Sequence, residues 1–108
     1  MKQVQYNALI GVVLILEQNG KYLLHKRKNC TWMCGHYGLI GGTLEANETL
    51  TECIIREAKE EIGITLKKED LHFVHVMNSK EASSFFFKAS KWEGTPEIKE
   101  PHKCDNLA

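Results

Sequence analysis

An α+β fold, built in layers, is what this sequence predicts, because the elements run strands first, then one long helix, then strands again. Three observations carry that prediction. Tyr6–Leu16 is a continuous stretch rich in Ile, Val and Leu, the composition of a buried strand. Thr49–Ile62 repeats its apolar residues with the period of a helix. Leu71–Met77 and Ser84–Ser90 are two further apolar, aromatic segments of strand length.

The connections follow from local chemistry. Asn19-Gly20 is a two-residue hairpin signal, since both residues tolerate positive φ. Lys21–Lys26 is then expected as the returning strand, although its apolar residues do not alternate cleanly. Arg27–His36 reads as a loop with a small basic cluster, Lys26-Arg27-Lys28, and one aromatic, Trp32. Tyr37–Ile40 is a short strand that the pair Gly41-Gly42 is expected to break, and Thr43–Asn47 a polar loop. Asn47 or Thr49 caps the helix; Thr49 and Glu52 have capping-box spacing. Gly63 supplies the C-terminal stop. Asn78–Ser83 joins the last two strands, Glu93-Gly94-Thr95-Pro96 is a turn, and Glu97–Ala108 is a polar tail without a period.

Composition bounds the function. At 108 residues the chain has room for one domain, taken as residues 1–108, with no second core. Lys+Arg and Asp+Glu number 14 each, so the net charge is zero. A general binder of nucleic-acid polymers or anionic membranes is usually basic, and this chain is not. The apolar run Ala8–Leu16 is too short to span a bilayer and lacks a small-residue cleavage site. A soluble cytoplasmic protein is expected, with Cys30, Cys34, Cys53 and Cys104 as reduced thiols. Cys30, Cys34 and His36 also raise a zinc site, but the spacing is loose and a fourth ligand would have to be Cys104 or a distant His.

The helix carries the chemistry. Advanced by about 100° per residue, Ile54, Ile55, Ala58 and Ile62 fall on one side and can pack on a sheet. Glu57, Glu60 and Glu61 fall together elsewhere, related by three and four residues. Three carboxylates there repel one another and face the unfavourable end of the helix dipole. A solvated acidic face is the bland reading. A hard divalent cation is the functional one, because Mg²⁺ takes carboxylate and phosphate oxygens.

The register of the surrounding residues decides between these readings. Gly42, Glu48, Arg56, Glu57, Glu60, Glu61 and Gly63 stand in the pattern G-x5-E-x7-R-E-U-x-E-E-x-G-U, with Ala58 and Ile64 at the apolar U positions. Seven fixed residues at fixed spacing arise by chance on the order of once in 10⁸ windows at ordinary residue frequencies. This is the Nudix box, residues 42–64, and the chain resembles the Nudix (MutT-like) hydrolase family at every defined position of it. The flanks match more loosely, through the opening hairpin and the aromatic strands after the box.

The resemblance implies an α/β/α sandwich with a mixed sheet, the box forming a loop–helix–loop upon it. It also implies hydrolysis of a nucleoside diphosphate linked to another moiety, with Mg²⁺ or alternatively Mn²⁺. A nucleoside triphosphate, ordinary or oxidised, is the substrate expected first; a nucleotide sugar or ADP-ribose comes after it. Carried over, Glu57, Glu60 and Glu61 are metal ligands, and Arg56 orients them and pairs with Glu48. Gly41 and Gly42 let the loop backbone approach the pyrophosphate, the Gly41 carbonyl being a further ligand candidate, and Arg27 contacts substrate phosphate. The general base is a box glutamate or a later one, Glu97 or Glu100. Trp32, Tyr37 and Phe85–Phe87 are candidates for base stacking, against the commoner role of core aromatics. His25, His36, His72, His75 and His102 have no metal spacing.

Two departures from the pattern stand out. Ile40 occupies a position where the family commonly carries Pro, which alters loop stiffness. Family domains also run some tens of residues further, so a chain ending at Ala108 looks truncated or unusually short. An exposed sheet face is the expected consequence, favouring either a homodimer or instability. The alternative function is a Nudix-fold domain that binds a nucleotide for regulation without cleaving it.

Overall fold

The structure is a computed structural model that describes residues 9–27, 37–97 and 104–107; for 25–27, 37–38 and 104–107 it describes the backbone alone. Its centre is a long strand, β1 (Leu9–Gln18). Val12, Leu14 and Leu16 alternate along it with about 1% exposure each, so one face of β1 is fully buried. Asn19 and Gly20, at φ 55° and 75°, turn the chain into β2 (Lys21–Tyr22). Gln18 pairs with Lys21 across that turn, which is the two-residue hairpin expected.

The returning strand does not run on to Lys26. The Leu23 amide still donates to the Leu16 carbonyl, but Leu23 packs against the core and the chain leaves the sheet. It re-forms as β3 (His25–Arg27), which pairs with β4 (Tyr37–Gly38) and with β8 (Cys104–Leu107) in a separate three-stranded sheet. The tail therefore holds a strand where a polar tail without a period was expected. Four residues are too few to show an alternation.

The glycine pair also departs from expectation. Gly41 and Gly42 lie inside a strand, β5 (Ile40–Thr43), and do not end one. Gly41 faces Val13 of β1 so closely that an added Cβ would stand 2.2 Å from the Val12 carbonyl oxygen. Absence of a side chain is what lets this strand pair.

The main sheet has five strands and mixed direction. β2 and β5 share one edge of β1, both antiparallel to it. On the other edge lies β7 (Ala82–Ala89), parallel to β1, and beyond it β6 (His72–Asn78), antiparallel to β7. α1 (Leu50–Ile62) covers one face, burying Cys53, Ile54, Ala58 and Ile62. These join Val12, Leu14, Leu16, Ile40, Ile64, Leu66, Phe87 and Ala89 in one core. Burying each large aliphatic side chain contributes about 1.5–3 kcal/mol. Ile55 is only half-buried, and Cys53 takes the core place beside Ile54. A mixed sheet with a helical layer is the fold class predicted; among the described residues α1 is that layer.

Every residue of β6 is exposed, including Phe73, Val74, Val76 and Met77. A bulge between Phe73 and His75 interrupts its pairing with β7. After β7 the chain turns back at Gly94 (φ 96°), and Thr65 and Glu93 exchange backbone hydrogen bonds. The Glu97 amide then donates to the Ile62 carbonyl, which places Glu97 at the C-terminal end of α1.

Candidate active site

α1 is cut to length by its own caps. Thr49 accepts from the Glu52 amide while the Glu52 carboxylate accepts from the Thr49 amide, the reciprocal capping box. Asn47, at φ 66°, serves the turn before the helix, so the cap is Thr49. Gly63, at φ 73°, ends the helix and donates to the Lys59 carbonyl. These two ends fix which residues reach back over β5.

Arg56 is the hub of the polar face. Its Nε and Nη2 grip both oxygens of Glu48, at 3.1 and 2.9 Å. Nη2 also donates to the Thr43 carbonyl at 3.3 Å and approaches the Cys53 sulfur at 3.7 Å. Nη1 donates to Glu57 at 2.9 Å and to Glu60 at 3.2 Å, and Glu45 stands 3.5 Å from it. The bidentate Arg56–Glu48 pair holds a rigid fork, and the fork in turn fixes carboxylates of α1. Glu48 is further held by the amide of Glu45 at 2.9 Å.

Glu57 lies against the backbone of β5. A Cβ on Gly42 would come within 2.2–2.6 Å of all three carboxyl atoms of Glu57. The bare α-carbon of Gly42 is therefore the seat of a glutamate, inside a strand. The glycines thus lie in a strand and not in the loop where they were expected. Glu57 is hydrogen-bonded to Glu61 as well as to Arg56. Burial pushes the Glu57 carboxyl above its ordinary value, against the pull of Arg56, and the charge of Glu60 adds to the rise. Glu48 goes the other way: the Arg56 hydrogen bond, then the Glu45 amide, lower it to about 2. The thiol of Cys53 is pushed up to about 12 by burial and then by Glu48, so it stays protonated and unreactive at neutral pH.

Among the described residues no three His, Cys, Asp or Glu side chains already converge as a metal cage. The glutamates turn instead to Arg56 and to each other. Their chemistry still fits a hard divalent cation. Three carboxylates lie within one hydrogen-bonded chain, one Glu61 oxygen is buried, and a cation would offset the burial of the Glu57 charge and its repulsion by Glu60. Glu57, Glu60, Glu61, Arg56, Glu48 and Gly42 thus come together, and Gly41 adjoins them on β5. The backbone of Arg27 lies in β3, opposite Cys104, while its side chain falls outside the described residues. Cys30, Trp32, Cys34, His36, Glu100 and His102 also lie outside them. Phe85 and Phe87 pack with Phe73 on the core side, and Phe86 meets His75 on the other. Glu45 and Cys53 were not singled out from the sequence, though Glu45 sits three residues before Glu48 and Cys53 three before Arg56.

An arginine-tied carboxylate cluster on a helix seated against a strand offers the oxygen ligands that hard cations take. The NUDIX domain family model matches residues 6–107, and the chain belongs to that family. It is 28% identical to the 8-oxo-dGTP diphosphatase of Escherichia coli over 102 residues, 93% of this chain and 76% of that protein. It is 44% identical to an ADP-ribose pyrophosphatase of Methanocaldococcus jannaschii over 62 residues, 57% of this chain and 36% of that one. The chain thus spans only about a third of the length of the second relative. Its fold superposes on the crystal structure of a MutT NUDIX hydrolase from Burkholderia pseudomallei with a TM-score of 0.85, at 26% identity, covering 94% of this chain and 81% of that one. No helix among the described residues is long and apolar enough to cross a membrane.

Proposed function

We propose that the chain hydrolyses a phosphate–phosphate bond in a nucleoside diphosphate derivative, with Mg²⁺ or in its place Mn²⁺, releasing a nucleoside monophosphate and a phosphorylated remainder. The observation that carries this reading is Arg56 holding Glu48 bidentately while it gathers Glu57 and Glu60 over Gly42. The activities for which both relatives are named are of this bond type, and membership of the family agrees with it. The relative that aligns along most of the chain favours a nucleoside triphosphate as the first substrate to test.

Glu57, Glu60 and Glu61 would hold the cation. Bound there, it neutralises charge on the phosphoryl oxygens and lowers the pKa of water. Arg56 holds Glu57 and Glu60 in one orientation ahead of the cation, so the ligands are preorganised for it. Gly42 gives Glu57 its seat. A glutamate accepts the proton of the attacking water. Glu97 is the later candidate for that task within the described residues, since its backbone is bonded to Ile62, next to Glu61. Arg27, at the end of β3, is assigned to substrate phosphate, and Gly41 to the approach of the pyrophosphate. The partner is a small cytoplasmic nucleotide, neither a nucleic-acid polymer nor a membrane.

The test is product release from a panel of nucleoside triphosphates, ADP-ribose and nucleotide sugars, with Mg²⁺ and with chelator, followed by chromatography. Mg²⁺-dependent formation of the monophosphate is the expected result. A nucleotide that raises the melting temperature while no panel member is cleaved would instead establish a binding domain without hydrolysis.

A further inference from the structure

Glu45 is the carboxylate in this cluster that the box pattern leaves unassigned. It stands on the loop between β5 and α1, not on the helix. Its amide donates to Glu48 at 2.9 Å, Glu48 takes Nη2 of Arg56 at 2.9 Å, and Nη1 of Arg56 lies 3.5 Å from the Glu45 carboxylate. This closes a ring in which loop backbone, Glu48, Arg56 and the Glu45 side chain hold one another. The loop also offers the Thr43 carbonyl to Nη2, so it wraps the guanidinium along its length.

The donors of Arg56 are fully used. Nε and Nη2 serve Glu48 and Thr43, and the two N–H bonds of Nη1 serve Glu57 and Glu60. The oxygens that Nη1 takes are those a divalent cation would draw upon. Cation and guanidinium then compete for the same carboxylates and repel each other at close range. An Arg56 side chain only 23% exposed has little water to turn to when its acceptors weaken. Glu45 is the acceptor within reach of Nη1 that lies off the helix and is free of the proposed ligand role.

We infer that Glu45 is a positioning residue for metal binding: it takes up Nη1 of Arg56 as Glu57 and Glu60 engage the cation, and so keeps the arginine in register. The inference rests on the metal-dependent reading above. It predicts a metal-affinity effect from a residue that touches no metal.

The experiment measures Mn²⁺ binding to the full chain by the electron paramagnetic resonance of free Mn²⁺, without substrate. Glu45→Ala is expected to weaken binding roughly three- to tenfold, the scale of one ordinary hydrogen bond lost at an exposed carboxylate. Glu45→Gln, which keeps an oxygen acceptor, restores most of the affinity. Glu52→Gln removes a charge from α1 but keeps the capping box, and binds like the wild type. Wild-type affinity in Glu45→Ala overturns the inference. So does equal weakening in Glu45→Gln and Glu52→Gln, which would mean that only the summed negative charge matters. A wild-type chain that binds no Mn²⁺ overturns the metal-dependent reading itself, and the two failures are thereby told apart.

Discussion

Gly42 is the residue where sequence pattern and packing meet most directly. The box marks it as invariant in spacing, and the structure shows the Glu57 carboxyl where its Cβ would be. Gly42→Ala is therefore expected to leave α1 and the sheet in place while it displaces Glu57. Turnover should fall by about 10²-fold, the usual cost of misplacing a catalytic group by an ångström. Circular dichroism with steady-state kinetics checks both halves. Glu48 gives a second prediction. Its folded pKa, about 2, lies below the ordinary carboxylate value, so its ion pair stabilises the fold above pH of about 4.5 and is lost as pH falls towards 2. Glu57 acts in the opposite sense, because its raised pKa means that the folded state favours its protonated form. Acid titration of stability by urea unfolding should show the Glu48 contribution vanish in Glu48→Gln. Glu48, Arg56 and the three helix glutamates were legible in the sequence through its resemblance to the Nudix box. Glu45 and Cys53 escaped it because their roles come from the way the loop folds round the guanidinium, not from a helical period.

At the scale of elements, α1 was readable almost to the residue. Thr49, Glu52 and Gly63 are caps with defined chemistry, and the apolar period runs unbroken between them. Thr49→Ala is expected to lower stability by about 1 kcal/mol, a shift of roughly 4–8 °C in Tm for a domain of this size, measured by thermal unfolding. The hairpin at Asn19-Gly20 was equally legible, since positive φ at both positions is a local requirement. The strands around the site were not. Gly41-Gly42 has the composition of a breaker, yet it pairs because the neighbouring strand leaves no room for a side chain at Gly41. Whether a glycine ends a strand or permits a close one depends on a partner distant in sequence. The division of Lys21–Lys26 between two sheets depends on Leu23 entering the core, which no local pattern announces.

The molecule as a whole is organised round β1, which bonds to β2, β5 and β7 and carries the buried face on which α1 rests. α1 carries the chain from β5 across to β6, and β7 then returns antiparallel to β6 and lies parallel to β1, which makes the sheet mixed. The outer strand β6 presents Phe73, Val74, Val76 and Met77 to solvent and has no partner on its far edge among the described residues. The sequence led to an expected homodimer through an exposed sheet face; association through the β6 edge is the form of it proposed here. Sedimentation equilibrium should show association that weakens in Val76→Lys, because charge on an edge strand opposes pairing. The central proposal is that Glu57, seated on Gly42 and tied to Arg56, and Glu61, bonded to Glu57, make this domain a metal-dependent hydrolase. Its most direct test is monophosphate release by the wild type, Glu57→Gln and Glu61→Gln over a range of Mg²⁺ concentrations. Loss of about 10²-fold or more in both variants, with unchanged or raised melting temperature as repulsion on α1 is relieved, is the predicted result. Near-normal turnover in both variants would contradict it.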